Sequence, residues 1–290
     1  MTETVGTTGD GPVTTDVPAR LTPTTLGGLS VRKPQESLPH LNLMIYGESG
    51  VGKTLLAGSA AYVAELSPVL FVDVEGGTLT LSQMETVADV DVVRVSKWKD
   101  VQKVYDELYK GKHSYKTVVI DSLTEMQKLA MSDVLGSGTT IDAVGAMPEF
   151  KDWNINTEQM RRLVRAFRDL PLNTIFTALS MDVPNPRNEA QVFKKPAFTK
   201  KLANEIPAFF DILFYMYIKT VKNQPNQRLV QTDKTETVVA KCRVAGVPEQ
   251  LQEPTMEMLY DLLIRNPGKA PDPASTGLAI EKPGGMTRRK

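Results

Sequence analysis

The chain has 290 residues, and its 34 lysines and arginines balance its 34 aspartates and glutamates, so the formal net charge is zero. This balance argues against a protein that coats nucleic acid by bulk electrostatics, so any contact with nucleic acid must be local. A single cysteine excludes an intramolecular disulfide, and the two histidines are too far apart in sequence to indicate a metal cluster. Because we find neither a signal peptide nor an apolar run of about 18 residues, we expect a cytoplasmic protein without membrane contact.

Both ends of the chain differ in composition from the middle. Residues 1–38 are rich in Thr, Gly and Pro and contain no aromatic residue, while 266–290 contain four prolines and end in three basic residues. Such segments bury too little apolar surface to offset the entropy of the chain. The sequence therefore predicts disordered tails at 1–38 and 266–290 around one folded domain at 39–265.

Between the tails, continuous apolar runs alternate with helical patterns. Strands are predicted at 41–46, 69–74, 91–95, 117–121 and 173–179. Helices are predicted at 55–66, after Ser96, at 123–134 and at 149–170. Continuous apolar strands separated by helices indicate an α/β fold, with a mostly parallel twisted sheet flanked by helices. The later part of the chain predicts an antiparallel meander with strands at 212–220, 228–232 and 237–242, followed by a final helix at 256–264.

One segment matches the phosphate-binding pattern G-x-x-x-x-G-K-[ST] at every fixed position, and it lies between a predicted strand and a predicted helix. Glycines let backbone N–H groups wrap around an anion. In this pattern Lys53 contacts the β- and γ-phosphates of ATP, and the Thr54 hydroxyl holds Mg²⁺. The predicted nucleotide-binding residues are Gly47, Glu48, Ser49, Gly50, Val51, Gly52, Lys53 and Thr54.

Polar side chains follow three other predicted strands. Asp121 would orient Mg²⁺ beside the phosphate loop, or alternatively only cap the next helix. Because Ser122 follows it, the base that activates water must come from elsewhere, and Glu75, just before two glycines, is the candidate. The alternative for Glu75 is an acid in a surface turn. Ser180 would hydrogen-bond the γ-phosphate and report its presence to the following loop, or be a strand-end hydroxyl without that role.

The segment after Ser180 lacks clear periodicity and is predicted to be a long loop. Its second half, 192–201, interleaves four lysines with two phenylalanines. Proteins that bind single strands combine cations for the phosphates with rings that stack on bases. The segment therefore predicts a contact with single-stranded DNA and mobility without it, and the alternative is a solvated loop with one ring in the core. The candidate DNA-binding residues are Phe193, Lys194, Lys195, Phe198, Lys200 and Lys201.

These features together resemble the RecA-like ATPase core. Residues 71–75 resemble the recombinase strand with the catalytic Glu, and 118–122 resemble the recombinase Walker B strand. More closely, 41–264 looks like the phage-encoded AAA-type nucleotide-binding proteins related to Sak-type single-strand annealing proteins, in the phosphate loop, the turn at 73–77 and Ala240–Arg243. The resemblance implies a RecA-like P-loop NTPase fold and DNA-dependent hydrolysis of ATP.

The same resemblance implies a homo-oligomer with ATP between subunits. Lys241 and Arg243 would then reach the γ-phosphate of a neighbour, where an arginine offsets charge that develops during phosphoryl transfer. Alternation along a strand puts both side chains on one face, although an exposed strand face with two cations is the alternative. The implied partners are single-stranded DNA and a single-strand DNA-binding protein, and the implied location is the host cytoplasm.

Three functions fit these observations. The first is an ATPase that acts on single-stranded DNA in phage recombination, by annealing or strand pairing. The second is an accessory ATPase, such as a helicase loader or remodeller, that works on a protein partner. The third, a small-molecule phosphotransferase, usually needs an arginine-rich lid, and the arginines at 161–168 instead fit the polar face of an amphipathic helix.

Overall fold

The computed structural model describes residues 25–31, 40–83, 90–136, 147–185, 188–222 and 225–269. It separates into two units, Met1–Pro39 and His40–Lys290. In the first unit, β1 (Thr25–Leu26) pairs with β2 (Leu29–Ser30) in an antiparallel hairpin. Most of the two predicted tails lies outside the described residues, so their disorder stays a prediction.

The second unit contains one mixed sheet. Its strands are β3 (Asn42–Gly47), β4 (Val69–Asp73), β5 (Val90–Arg94), β6 (Thr117–Asp121), β7 (Asn173–Asn185), β8 (Asn188–Pro196), β9 (Ile212–Lys219), β10 (Gln227–Gln231), β11 (Lys241–Cys242) and β12 (Gln250–Gln252). Across the sheet the order is β12-β10-β9-β3-β7-β6-β4-β5, with β8 paired to β7 and β11 paired to β9. Six strands that are neighbours in the sheet run parallel to one another: β9, β3, β7, β6, β4 and β5. The remaining strands, β8, β10, β11 and β12, are antiparallel to their neighbours. This arrangement confirms the predicted fold class.

Helices cover both faces of the sheet. The α-helices are α1 (Lys53–Gly58), α2 (Trp98–Lys110), α3 (Leu123–Val134), α4 (Phe150–Arg168), α5 (Lys200–Glu205) and α6 (Met256–Tyr260). Side chains of α2, α3, α4 and α5 pack on one face, with Met44 and Tyr46 of β3. Side chains of α1 and α6 pack on the other face, with Leu43 and Ile45 of β3. Alternate residues of a central strand thus enter different cores, which is why these strands read as continuous apolar runs.

The first helix is shorter than the predicted 55–66. It ends at Gly58, and a 3₁₀-helix continues from Ser59 to Tyr62. The Ser59 hydroxyl donates to the Leu56 carbonyl at 2.7 Å and accepts a hydrogen bond from the Met256 backbone N–H at 3.0 Å. A glycine of low helix propensity, followed by a serine that bonds to the backbone, explains the change.

The segment after Ser180 corrects a second prediction. It is not a long loop, because β7 continues to Asn185 and pairs with β8 in an antiparallel hairpin whose tip, 186–187, lies outside the described residues. Pro184 and Pro196 argue against a central strand, but a two-stranded ribbon tolerates proline where no ladder hydrogen bond is needed. Whether this segment moves without DNA stays a prediction.

The predicted strand at 237–242 also shortens. Only Lys241 and Cys242 pair with β9. Further back along the chain, Lys194 of β8 donates its backbone N–H to the Thr237 carbonyl at 2.7 Å, and the Val239 N–H donates to the Lys194 carbonyl at 3.1 Å. This part of the chain therefore bonds to the hairpin instead of β9. No helix of the described residues has both the length and the hydropathy that a bilayer crossing requires.

Candidate active site

The phosphate loop connects the end of β3 to the start of α1. Gly50 and Gly52 have φ of 78° and 105°, in the region that favours glycine. A Cβ atom at Gly47 would lie 2.1 Å from the Met216 carbonyl oxygen of β9, so no larger residue fits there. The loop pattern is therefore required by backbone conformation and by close packing against β9, before any ligand is considered.

Lys53 is buried inside this loop, with 9% of its surface exposed. Its ammonium group donates to the carbonyl oxygens of Gly47 at 3.0 Å and of Glu48 at 2.7 Å. Burial lowers the pKa of Lys53, and the charges of Asp121, Glu75 and Glu48 oppose that shift. Because both hydrogen-bond acceptors are neutral, the ammonium charge is available to an anion, which fits a phosphate group.

Asp121 lies at the carboxyl end of β6 and is almost fully buried. One of its carboxylate oxygens accepts a hydrogen bond from the Thr54 hydroxyl at 2.7 Å, and the other accepts one from the Thr177 hydroxyl. The structure thus brings together the two residues predicted to hold Mg²⁺. A hydroxyl and a carboxylate oxygen are the ligand types that this ion prefers, so the residues fit it.

Thr177 is a site residue that the sequence reasoning missed. It lies on β7, the strand between the P-loop strand β3 and the Asp121 strand β6. A hydroxyl inside an apolar run carries no local signal in the sequence. The strand order supplies the signal, because it places Thr177 between the strand that leads to the phosphate loop and the strand that carries Asp121.

The helix after Asp121 is capped by the next residue. The Ser122 hydroxyl accepts the Glu125 backbone N–H at 3.4 Å at the start of α3, and the Asp121 carboxylate takes no part. The alternative that Asp121 only caps this helix is therefore wrong.

Glu75 lies in an exposed turn just after β4. The last residue of β4, Asp73, is level with Asp121 of β6 in the parallel register, so the turn starts at the same edge of the sheet as the phosphate loop. The charge of Glu75 is one of those that raise the pKa of Lys53, which agrees with this proximity.

Ser180 lies beside the first residues of the phosphate loop. The preceding residue, Leu179, is level with Gly47 in the pairing of β7 with β3. Ser180 is half-buried, and the alternation of side chains along a strand puts it on the opposite face of β7 from Thr177. On β7, the contact with Asp121 is therefore made by Thr177 and not by Ser180.

Lys241 and Arg243 lie at the other end of the sheet from the phosphate loop of their own chain. Lys241 of β11 pairs with Leu213, which is level with Met44 early in β3, whereas the phosphate loop follows the last residue of β3. The Lys241 ammonium donates to the carbonyl oxygens of Pro207 at 3.2 Å and Phe210 at 2.6 Å, and burial followed by the charge of Arg243 lowers its pKa. The pair therefore does not join the phosphate loop of its own chain.

Two of the candidate DNA-binding residues are already engaged within the protein. The Lys194 ammonium bonds to the carboxylates of Glu48 at 3.2 Å and Asp182 at 2.9 Å. Burial alone would lower the pKa of Lys194, but these two hydrogen bonds raise it above the usual value. The Phe198 ring lies in the core at 5% exposure, where a base cannot stack on it. Contrary to the prediction, neither side chain is therefore free to contact DNA in this structure.

The remaining candidates lie on the outer part of the hairpin and on α5. Phe193 is half-buried opposite Val183, and the half-buried Lys195 donates to Asn204 at 3.2 Å. Lys201 is exposed. Lys200 is the first residue of α5, and its side chain is outside the described part of the chain.

Comparison with known proteins identifies the family. An AAA domain model matches residues 40–244. No curated protein matches the chain. Among solved structures, this chain is similar to the flagellar accessory protein FlaH from Methanocaldococcus jannaschii. The two share 14% sequence identity with a TM-score of 0.42, and the match covers 76% of this chain and 88% of FlaH. Because the family model covers more than half of the 290 residues, this protein belongs to the AAA domain family and is an ATPase of the AAA type.

Proposed function

We propose that the protein hydrolyses Mg·ATP at the loop Gly47–Thr54, and that it couples this reaction to work on single-stranded DNA in phage recombination. The observation that carries the proposal is the 2.7 Å hydrogen bond between Thr54 and Asp121 beside the buried Lys53. Lys53 and Thr54 are neighbours in the loop, and Asp121 comes from a distant part of the sequence to meet Thr54 where the glycine pattern predicts a phosphate.

Each residue has a defined role in this reaction. Lys53 binds the β- and γ-phosphate oxygens through its ammonium group, and Thr54 and Asp121 hold the metal. Bound Mg²⁺ supplies positive charge that offsets the phosphate oxygens and keeps them oriented. Glu75 accepts a proton from the attacking water, which its exposed turn leaves accessible.

The basic pair acts between subunits in this proposal. Since Lys241 and Arg243 lie at the sheet end opposite their own phosphate loop, they complete the site of a neighbour in a homo-oligomer. Arg243 is 63% exposed in its side chain, and its ion pair with Asp211 at 2.5 Å is on the surface, where such pairs exchange easily. Its guanidinium group then offsets charge on the γ-phosphate of the next subunit.

The β7–β8 hairpin is the proposed link to DNA. Lys195 and Lys201 remain as cations near its base, while Lys194 joins the hairpin to Glu48 of the phosphate loop. A ligand that rearranges the phosphate loop therefore acts on the hairpin through the ion pair between Lys194 and Glu48. The sequence resemblance to Sak-type annealing proteins favours single-stranded DNA as the partner.

The proposal is tested by ATP turnover with and without single-stranded DNA, together with Glu75→Gln. We expect stimulation by DNA in the wild type, and DNA binding that weakens steeply as salt rises. Glu75→Gln should bind ATP normally but lose about 10²–10⁴-fold in turnover, which is the usual contribution of a general base. The exposed Glu107→Gln on α2 is the control. Normal turnover by Glu75→Gln contradicts the proposed base, and the absence of DNA binding at low salt contradicts the proposed partner.

One observation favours the second candidate, an accessory ATPase that acts on a protein. Phe150, the first residue of α4, is 83% exposed, Met147 three residues before it is 89% exposed, and Ile155 five residues after it is 50% exposed. Large apolar side chains that are this exposed can mark a contact with another protein. If a purified replicative helicase stimulates turnover without DNA, and Phe150→Ser removes that stimulation, the accessory role replaces the recombination role.

A further inference from the structure

A buried acid holds the turn that carries Glu75. Asp73, the last residue of β4, is 3% exposed. One of its carboxylate oxygens accepts the backbone N–H of Gly76 at 2.6 Å, and the other accepts the guanidinium of Arg94, the last residue of β5, at 2.9 Å. The Asp73 carboxylate is therefore shared between the turn and the neighbouring strand, and neither of these two hydrogen bonds involves the phosphate loop.

Backbone hydrogen bonds fix the residues on both sides of this acid. The Val74 N–H donates to the Asp121 carbonyl at 2.9 Å, which ties the start of the turn to the strand with the proposed metal ligand. The Val95 N–H donates to the Asp73 carbonyl at 2.9 Å, which ties β4 to the end of β5. Glu75 thus stands between two anchored neighbours, Val74 and Gly76.

The two glycines of the turn differ in what surrounds them. Gly76 has a φ of 85°, and a Cβ atom there would lie 2.5 Å from a terminal nitrogen of Arg94. A Cβ atom at Gly77 would meet no atom within 4 Å. The guanidinium of Arg94 therefore lies beside Gly76, whose positive φ favours glycine, and a side chain there would also have to displace that guanidinium.

We propose that Asp73 and Arg94 are positioning residues that hold the Glu75 carboxylate where it can take a proton from the attacking water. The inference rests on the proposed role of Glu75. The hydrogen bond from Arg94 to the buried Asp73 carboxylate is charge-assisted, and such bonds are stronger than bonds between neutral groups. The position of Glu75 matters because a misplacement of about 1 Å at a reacting group can cost about 10²-fold in rate.

Steady-state turnover and ADP affinity measured by calorimetry test the inference in Arg94→Gln, Asp73→Asn and Gly76→Ala. We expect kcat to fall at least about 10-fold in each variant. ADP affinity should stay within about 2-fold of the wild type, because the hydrogen bonds that Asp73 makes to Gly76 and Arg94 do not involve the phosphate loop. Arg94→Lys should recover part of the lost kcat, since it keeps the charge but not the planar fork. Gly77→Ala is the matched control and should keep normal kcat.

Several results overturn the inference. Normal kcat in Arg94→Gln and Gly76→Ala shows that the turn needs no such support. Loss of activity in Asp73→Asn alone assigns Asp73 to the nucleotide or the metal instead. Equal loss of kcat and of ADP affinity shows general damage to the pocket. If Arg94→Gln has normal kcat while Glu75→Gln is inactive, the inference fails but Glu75 remains the proposed base. If Glu75→Gln has normal turnover, the inference and the proposed base both fail.

Discussion

Asp121 is the residue on which the site depends most. A carboxylate this far from solvent is costly unless hydrogen bonds replace the lost water. Thr54 and Thr177 supply such hydrogen bonds, one to each oxygen, and Lys53 supplies a nearby positive charge. The same contacts that make the buried charge tolerable also hold it beside the phosphate loop, so stability and function share these atoms.

Thr177→Val tests this dual role, since valine keeps the shape but removes the hydroxyl. One oxygen of the buried carboxylate then loses its partner, which should lower the free energy of unfolding by about 1–3 kcal/mol, measured by urea denaturation. Mg²⁺-dependent ADP binding should weaken in the same variant. Thr174→Val is the control, because its hydroxyl meets only Asn42, at 3.4 Å. Equal effects of both substitutions would show that the hydroxyl of Thr177 has no special part in the site.

Lys53→Met should change how stability depends on pH. The pKa of Lys53 is lowered in the folded chain, so its protonated form favours unfolding. That cost is fully present below the folded pKa and disappears as pH rises towards the unfolded value. The wild type should therefore gain stability relative to Lys53→Met as pH rises through the folded pKa, as measured by urea unfolding at several pH values. A difference in stability that stays constant with pH contradicts the lowered pKa.

At the scale of elements, the hairpin and the phosphate loop form one connected structure. Lys194 binds Glu48 through its side chain. The Tyr46 hydroxyl shares its single proton between two backbone carbonyls, that of Val239 at 2.5 Å and that of Lys194 at 3.3 Å. The end of β3, the hairpin and the chain before β11 therefore meet at Tyr46, the residue that precedes the first residue of the phosphate loop.

Lys194→Met should disconnect the hairpin from the nucleotide. The ion pair with Glu48 is partly exposed, so its loss should cost less than about 1 kcal/mol of stability. In the wild type we expect Mg·ADP to change amide hydrogen exchange in β8, and in Lys194→Met this change should largely disappear. Lys195→Met is the control, because that lysine bonds to Asn204 and not to the loop. An unchanged response of β8 in Lys194→Met would exclude this ion pair as the link.

The strands of the central sheet could be predicted from sequence, and the hairpin could not. A strand that is buried on both faces has a continuous apolar run in its sequence, as β4 and β6 do. The hairpin has mixed polarity and contains prolines, so it looks like a loop until its pairing is known. For the site, the glycine pattern predicted Lys53, Thr54 and their meeting with Asp121. Thr177 and Arg94 reach the site only through strand order, which local sequence does not contain.

At the scale of the whole molecule, the phosphate loop and the basic pair that we propose completes a neighbour's site lie at opposite ends of the sheet. The phosphate loop follows the end of β3, while Lys241 and Arg243 lie beside the start of that strand. One subunit can bring them together only by contact with another. This arrangement is the structural argument for the proposed homo-oligomer with ATP between subunits.

Mixing two inactive variants tests the arrangement. Arg243→Ala alone should lower kcat strongly, by as much as about 10³–10⁵-fold if it acts as an arginine finger. Lys53→Ala alone should fail to bind ATP. Mixed subunits should recover turnover, because an intact phosphate loop of the first variant then meets an intact Arg243 of the second. No recovery in mixed oligomers, when mass measurements show that the subunits mix, contradicts action between subunits.

The most direct test of the account is a crystal structure with Mg²⁺ and a non-hydrolysable ATP analogue. The account predicts the triphosphate inside Gly47–Thr54, the metal bound by Thr54 and held near Asp121, and the Glu75 carboxylate facing a water in line with the γ-phosphate. A triphosphate bound elsewhere, or a Glu75 turn that faces away from the γ-phosphate, would contradict it.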